Sequence, residues 1–255
     1  TEYLGNTIAA SAGEKAGIIK QGVPVVFDAG NDEASAVIRK RAEEKQAPCY
    51  PVRPQQLKIK KITRKNIDFS FASRYDDVIP IEIPFVAEYH YSNMALSNHA
   101  LIRLASRLCL PGDYIILAHR TARWAGRMQQ VCPEVYFDGA HNSAGIEEFL
   151  NPVRQIGGKK PLLLFSMVKE KDYAAVVRML SRTDWGGIVV THIPDARGLS
   201  VAALQEEFEK NGKETVGIND CRAAYDGVMQ KKEPGQTVFC TGSLYLIGEL
   251  EKIAG

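Results

Sequence analysis

The second half of the chain alternates short apolar runs with segments of helical periodicity. Four runs have the length and composition of buried strands, namely EVYFD, PLLLFSM, GIVVTHI and QTVFCTG. Apolar residues are spaced as in amphipathic helices near 143–156, 171–182, 200–211 and 219–231, and a last helix is expected after Ser243. This repeated strand–helix alternation predicts an α/β fold with a mainly parallel sheet covered by helices on both faces.

The first half of the chain contains segments of helical periodicity and segments with the patterns of strands. Asn6 or Thr7 can cap a helix that runs to about Ile19, after which VPVVFDA has the pattern of a buried strand. A second helix is expected after Asn31, with acidic residues in its first turn. The stretch that ends in IPIEIP alternates apolar and polar residues, which predicts two or three antiparallel strands, and helical spacing returns over 92–108.

The length of the chain and one irregular stretch indicate two domains. At 255 residues the chain exceeds the usual domain of roughly 100 to 200 residues. The stretch LPGDYIILAHRTARWAGRMQQVCP places proline, glycine and polar residues between apolar segments, as is typical of a domain boundary. We therefore expect one domain over residues 1–120 and a second over residues 121–255.

Composition and charge exclude several classes of protein. Lys and Arg number 32 against 30 Asp and Glu, so the net charge of +2 gives no support for a nucleic-acid or membrane partner. No apolar stretch approaches the roughly 18 to 20 residues that cross a bilayer, and the first residues lack a signal-peptide pattern. Five cysteines without a C-x-x-C pair argue against a disulfide framework or a cysteine zinc site. A cytoplasmic location is therefore expected.

Polar residues cluster where predicted strands of the second half end. Asp138, His141 and Asn142 follow one strand at the start of a helix, and the partial positive charge there suits an anionic or zwitterionic substrate. The alternative is that Asp and Asn are ordinary turn residues and that Ser143 is only an N-cap. Ser243 follows the last strand and can donate to a carboxylate, although helix capping explains it equally well.

Two cationic residues carry separate hypotheses. Arg127 lies in the predicted boundary region, where an arginine fork can clamp phosphate when domains close. Lys15 lies among alanines and glycines, and partial desolvation would make its neutral amine available for reaction, whereas the alternative is an ordinary surface lysine. The motifs G-x-x-x-x-G-K-[ST], G-x-G-x-x-G and H-E-x-x-H are absent, so phosphate-loop, dinucleotide and histidine–zinc chemistry lack support.

A series of segments carries a resemblance to a known family. LGNT is followed by EKAGIIK, ARWAGR, YFDGAHN, KEKD and CTGSLYLIGEL. In this order and at these separations they resemble folylpolyglutamate synthase and its bifunctional dihydrofolate synthase form, of the ATP-dependent Mur ligase superfamily. The resemblance spans nearly the whole chain. It implies that residues 1 to about 120 are the latter part of a Mur-ligase-like central ATPase domain and that residues 121–255 are a C-terminal Rossmann-like domain.

The resemblance also implies roles for residues that hold nucleotide and metal. Lys15 matches a family lysine that is carbamylated and lies near magnesium. Asn93 matches an asparagine that recognises adenine, although His90 stands where the family usually has glutamine. Arg127 matches an interdomain arginine that reaches the ATP phosphates. Members carry a GTNGKGS phosphate loop upstream of their LG-x-T segment, and this chain begins after that point, so we expect residues 1–255 alone to be inactive.

Three residues of the second half match the family's glutamate-ligase positions. Asp138 and His141 correspond to a pair associated with the nucleotide and the incoming glutamate, and Ser243 corresponds to a serine near the glutamate site. Ser143 replaces the proline that usually follows the asparagine of the family's loop.

By resemblance, the expected reaction is the ATP-dependent addition of L-glutamate to folate or dihydropteroate. ATP phosphorylates the terminal carboxylate, the amine of glutamate attacks the acyl phosphate, and ATP and Mg²⁺ are the cofactors. A monomer is expected. Two alternatives remain open: a Mur ligase acting on a peptidoglycan precursor, and a non-catalytic nucleotide-binding or scaffold module of the same fold. Ser143, His90 and the absent phosphate loop favour the second alternative.

Overall fold

The computed structural model describes most of the chain, in two compact units. The described residues are 7–53, 57–62, 67–71, 79–83, 89–109, 111, 114, 117–118, 121–122, 124–156 and 158–254, and side chains between 57 and 92 are not among them. The described residues up to Ala122 belong to the first unit, and those from Trp124 onward belong to the second.

The first unit contains three helices and five strands among its described residues. In chain order these are α1 (Ile8–Ala16), β1 (Val25–Asp28), α2 (Asp32–Glu44), β2 (Cys49–Val52), β3 (Leu57–Ile62), β4 (Ile67–Phe71), β5 (Ile79–Ile83) and α3 (Tyr89–Leu108). Strands β1 and β2 pair in parallel, whereas β3, β4 and β5 form an antiparallel sheet in that order. The predicted antiparallel strands are therefore confirmed.

The first helix begins as predicted and ends early. The side chain of Thr7 accepts the backbone N–H of Ala10, so Thr7 rather than Asn6 is the N-cap. The helix ends at Ala16 instead of Ile19, because the N–H of Gly17 already turns back to the carbonyls of the last turn. Ile19 is nevertheless buried, and it packs from the loop against the first unit's core.

The β1–β2 pair is covered on both faces. One apolar cluster joins Ala16 of α1 and Ala42 of α2 to the strand residues Val25 and Cys49. A second cluster joins Ala95 of α3 to Val52 of β2. Because successive strand residues point to opposite faces, α1 and α2 cover one face of the pair and α3 covers the other.

The second unit contains five helices and six strands among its described residues. In chain order these are β6 (Gln129–Cys132), β7 (Val135–Phe137), α4 (Ser143–Gln155), β8 (Leu162–Phe165), α5 (Tyr173–Leu180), β9 (Gly187–Thr191), α6 (Val201–Lys210), β10 (Val216–Ile218), α7 (Cys221–Lys231), β11 (Val238–Thr241) and α8 (Leu244–Ala254). All four strands and all five helices predicted for this half are present, within a few residues of their predicted bounds.

These six strands form one sheet in the order β10-β9-β8-β11-β7-β6. Every neighbouring pair is parallel except β6–β7. The expectation of an α/β fold with a mainly parallel sheet is confirmed. Strands β6 and β10 were not predicted, because β10 is only three residues of mixed character and β6 is joined to β7 by a tight turn at Glu134, which has φ +65°.

Helices lie on both faces of the six-stranded sheet. Helices α7 and α8 share one core cluster with Val135, Leu164 and Cys240. On the other face, Phe149 of α4 meets Phe239, and Phe208 of α6 meets Phe165, both edge to face. Each fully buried side chain of this size contributes about 1.5 to 3 kcal/mol to folding, so this core is sufficient to hold the loops at its edge in place.

The topology brings two loops together at the carboxyl edge of the sheet. Strands β7 and β11 are neighbours, with Phe137 opposite Cys240. The chain leaves β7 toward α4 on one face and leaves β11 toward α8 on the other. Neighbouring strands whose following helices part to opposite faces mark the point where α/β folds bind ligands. None of the helices in the described part of the chain combines the length and apolar character needed to span a bilayer.

The turn after β11 requires glycine. Gly242 has φ +114°, and a Cβ built on it would lie 2.2 Å from the carbonyl oxygen of Ser166. Gly235 also has a positive φ, +77°, but a Cβ there would meet nothing within 4 Å. The two glycines therefore separate the cost of an unfavourable backbone conformation from the cost of a steric clash.

We predict that Gly242→Ala lowers the free energy of unfolding of the second unit by about 3 kcal/mol or more, because backbone strain adds to overpacking. Gly235→Ala is expected to cost only about 1 kcal/mol. Trp124 and Trp185 are the two tryptophans of the sequence, and both belong to the second unit, so tryptophan fluorescence in urea reports on this unit. If Gly242→Ala and Gly235→Ala lowered the urea midpoint of unfolding by the same amount, the close packing of Gly242 would be contradicted.

Candidate functional site

A buried carboxylate organises the loop after β7. Asp138 is 2% exposed, and its two oxygens accept the backbone N–H groups of Met128 at 2.9 Å and Ala140 at 2.8 Å. Its own N–H donates to the carbonyl of Cys240 in the neighbouring strand. Asp138 therefore fixes both its own turn and the segment before β6.

Arg127 is held next to this loop. The carbonyl of Gly126 accepts the N–H of Gly139 at 2.8 Å, and Met128 donates to Asp138, so the residues on both sides of Arg127 are bonded to the loop. Gly126 has φ +65°, which lets the chain turn there. The side chain of Arg127 is half-buried. The predicted phosphate-binding arginine and the predicted glutamate-site loop thus lie side by side within the second unit.

His141 has a defined ring orientation. Its Nδ1 lies 2.8 Å from the carbonyl oxygen of Gly139. Because a carbonyl oxygen can only accept, Nδ1 carries the proton, and Nε2 of the neutral ring keeps a free lone pair. The residue is half-buried. The backbone contact therefore fixes the orientation of the imidazole ring.

Asn142, and not Ser143, caps helix α4. The side-chain oxygen of Asn142 accepts the N–H of Gly145 at 2.8 Å, and Ser143 is the exposed first residue of the helix. The alternative that Ser143 is the N-cap is therefore wrong. The reason is geometric, since Asn142 is the last residue with extended backbone before the helix, with φ −147° and ψ 167°.

Ser243 lies at the start of α8, beside the same loop. It is 2% exposed, and its Oγ accepts the N–H of Tyr245 at 3.1 Å, which leaves its hydroxyl hydrogen to donate elsewhere. Leu244 packs directly on Gly139, where an added Cβ would fall 2.2 Å from its side chain. The loops after β7 and β11 are therefore in contact.

Four predicted residues thus converge at one edge of the second unit, and two others do not belong to it. The converging residues are Arg127, Asp138, His141 and Ser243. The glycines that allow this close packing, Gly126 and Gly139, were missed by the sequence analysis; their positions immediately beside Arg127 and Asp138 were the available signal. In the loop KEKD, Asp172 caps helix α5, since its side chain accepts the N–H of Ala175.

Lys15 and Asn93 belong to the first unit. Lys15 is exposed, which agrees with the interpretation of an ordinary surface lysine and not with partial desolvation; Ala12 and Ala16 face the core, and Lys15 lies just off that face. Asn93 is also exposed, on α3 across the β1–β2 pair from α1. The side chain of His90 lies outside those described.

Lys15 borders a mainly apolar cavity of about 770 Å³. Its polar lining comes from Thr7, Ser11, Lys15, Asp28 and Asn31. Asp28 supplies the carboxylate of this lining, and one of its oxygens accepts the N–H of Gly30 at 2.8 Å. Within the part of the chain that is described, no three His, Cys, Asp or Glu side chains group as metal ligands. Mg²⁺ uses one or two carboxylates with water and phosphate oxygens, so this donor set fits only a partly protein-bound ion.

Comparison with known proteins agrees with this geometry. Residues 126–244 match the family model of the Mur ligase, glutamate ligase domain. The dihydrofolate synthase/folylpolyglutamate synthase of Bacillus subtilis is 30% identical over 260 residues, which cover 98% of this chain and 59% of that protein. The matched region of the family model contains the four converging residues.

Solved structures share the fold. A Mycobacterium tuberculosis folylpolyglutamate synthase complexed with ADP and AMPPCP has a TM-score of 0.83 at 22% identity, over 100% of this chain and 61% of that one. Escherichia coli FolC in complex with DHPP and ADP has a TM-score of 0.82 at 23% identity, over 99% of this chain and 58% of that one. This chain spans less than two thirds of each relative's length. Residues 126–244 match the Mur ligase, glutamate ligase domain, and the resemblance to folylpolyglutamate and dihydrofolate synthases is confirmed over nearly the whole chain.

Proposed function

We propose that this chain is part of an ATP-dependent amide ligase that adds L-glutamate to folate or dihydropteroate through an acyl phosphate. The observation that carries the proposal is the convergence of Arg127, Asp138, His141 and Ser243 at one sheet edge, within residues that match a glutamate ligase domain. A cationic fork, an oriented imidazole and a hydroxyl are the groups that joining an amine to a phosphorylated acid requires.

The second unit would serve the amide-forming step. The Nε2 of His141 accepts a proton from the ammonium group of glutamate, and the resulting amine attacks the acyl carbon. The C–N bond forms as the C–O bond to phosphate breaks, and the second proton lost by the nitrogen leaves with inorganic phosphate. The Ser243 hydroxyl donates to a glutamate carboxylate, and Arg127 binds phosphate oxygens through its planar fork. Asp138 holds the turn that carries His141. Its contribution to nucleotide binding would be to keep this loop in position.

The first unit would contribute residues that bind ATP and magnesium. Asn93 is the residue proposed to recognise adenine. Lys15, once carbamylated, would carry a negative charge and, with Asp28, would add a second carboxylate-like group to the cavity lining. Mg²⁺ bound there would offset the negative charge that develops on transferred phosphate.

Two other functions are less well supported. A scaffold module would not need the oriented histidine ring or the packed glycines around it. A ligase for a peptidoglycan precursor would use the same chemistry on a different acid, and only substrate tests separate it. We place the enzyme in the cytoplasm, since all five cysteines are free.

The first test measures glutamate-dependent ADP and phosphate release by the protein expressed from its complete reading frame. Dihydropteroate and tetrahydrofolate are tested in separate assays, each with ATP, Mg²⁺ and L-glutamate. We expect release that needs both pterin and glutamate, whereas residues 1–255 alone should be inactive because they contain no phosphate-loop motif. Turnover with a peptidoglycan precursor instead of either pterin would overturn the assignment.

The second test separates the roles of His141 and Asp138. His141→Gln keeps a donor for the Gly139 carbonyl but has no basic nitrogen, so activity should fall by about 10²-fold while the urea midpoint stays unchanged. Asp138→Asn leaves one acceptor where two N–H groups need one each, so it should cost about 1 to 3 kcal/mol in stability as well as activity. Full activity of His141→Gln would show that the imidazole is not the base.

A further inference from the structure

The loop after β9 is fastened to the segment after β8. The N–H of Leu199 donates to the carbonyl of Met167 at 2.9 Å, and the N–H of Lys169 donates to the carbonyl of Arg197 at 2.8 Å. Inside the loop, Nδ1 of His192 lies 3.0 Å from the carbonyl oxygen of Leu199. These bonds close the loop on itself and on its neighbour, so its position is set by the sheet.

Within this loop the guanidinium of Arg197 is held in one plane. Its Nε and Nη2 donate to the two oxygens of Asp195 at 2.9 and 3.0 Å, and its backbone N–H adds a bond of 2.8 Å to the same carboxylate. Bonding to Arg197 lowers the pKa of the Asp195 carboxyl to about 2, so the pair stays charged at neutral pH. A guanidinium that is already paired in this way is poorly suited to capture a substrate carboxylate.

The paired guanidinium covers an aromatic ring at the start of α8. The Cζ of Arg197 lies 4.3 Å from the ring centre of Tyr245, within cation–π range. Tyr245 is 47% exposed, and its backbone N–H is the group that Ser243 Oγ accepts. Because the ring is about half exposed, loss of the cation would remove a contact that restricts it.

We propose that Arg197 is a positioning residue for the glutamate site, which it serves by holding Tyr245 and thereby the orientation of Ser243. The inference rests on the proposed function above. It links the loops after β8, β9 and β11 into one assembly, in which Arg197 acts through the helix start and not on the substrate. Its removal should therefore affect glutamate recognition more than the chemical step.

The test uses the protein from its complete reading frame with Arg197→Ala, Tyr245→Leu and Tyr245→Phe. We expect the first two to raise KM for glutamate by about three- to tenfold, with kcat within about twofold and KM for ATP unchanged. Tyr245→Phe keeps the ring under the cation and should stay within about twofold of wild type. Combining Arg197→Ala with Tyr245→Leu should raise KM no further than either change alone.

Lys160→Ala is the matched control. Lys160 pairs with Asp184 at 2.8 Å, and this exposed ion pair of the same unit joins the amino ends of β8 and β9, at the opposite edge of the sheet. Its loss should leave KM for glutamate unchanged. Amide hydrogen exchange over Leu244 to Leu246 gives a readout without substrate, and it should quicken at least about threefold in Arg197→Ala and stay unchanged in Lys160→Ala.

The outcomes separate this inference from the proposed function. If wild type shows no glutamate-dependent turnover, the proposed function fails, and quickened exchange would show only that Arg197 steadies the helix start. If wild type is active but Arg197→Ala matches it in both KM and exchange, the inference alone is wrong. Equal rises in KM for ATP and glutamate together with a lower urea midpoint would reduce Arg197 to a general stabilising role and also overturn it.

Discussion

Both oxygens of the buried Asp138 carboxylate accept backbone N–H groups, one from Met128 and one from its own loop. The site depends on this pair of bonds, because they join two segments that are ten residues apart. An unpaired carboxylate at this depth would be strongly unfavourable, and two unpaired N–H groups would add to that cost. The segments that carry Arg127 and His141 are thus held side by side by backbone groups bonded to Asp138.

The sheet supplies the second constraint. Its parallel strands end at one edge, and β7 and β11 send their helices to opposite faces, so two helix starts lie side by side at that edge. The loops there are packed through glycine, at Gly139 against Leu244 and at Gly242 against Ser166. This close packing restricts the loops after β7 and β11, and with them the side chains of His141 and Ser243.

Much of this could be predicted from the sequence, and the failures have physical causes. Apolar runs revealed the strands of the parallel sheet, because strands buried on both faces are continuously apolar. The three-residue β10 carries too little pattern, and the bond from Met128 to Asp138 joins residues ten positions apart without a recurring sequence pattern, so neither was predictable. The exposure of Lys15 agrees with the interpretation of an ordinary surface lysine, although small neighbours alone do not reveal which side of a helix faces the core. The pairing of Arg197 with Tyr245 joins separate loops and leaves no local signal.

The capping of α4 by Asn142 bears on how this loop tolerates change. Ser143 occupies the first helical position, where a backbone N–H has no partner within the helix and a fixed φ near −65° is favourable. Proline is well suited to that position, because its missing N–H has no helical partner to lose. The cap therefore does not depend on the side chain at position 143, and a serine there leaves the structure of the loop intact.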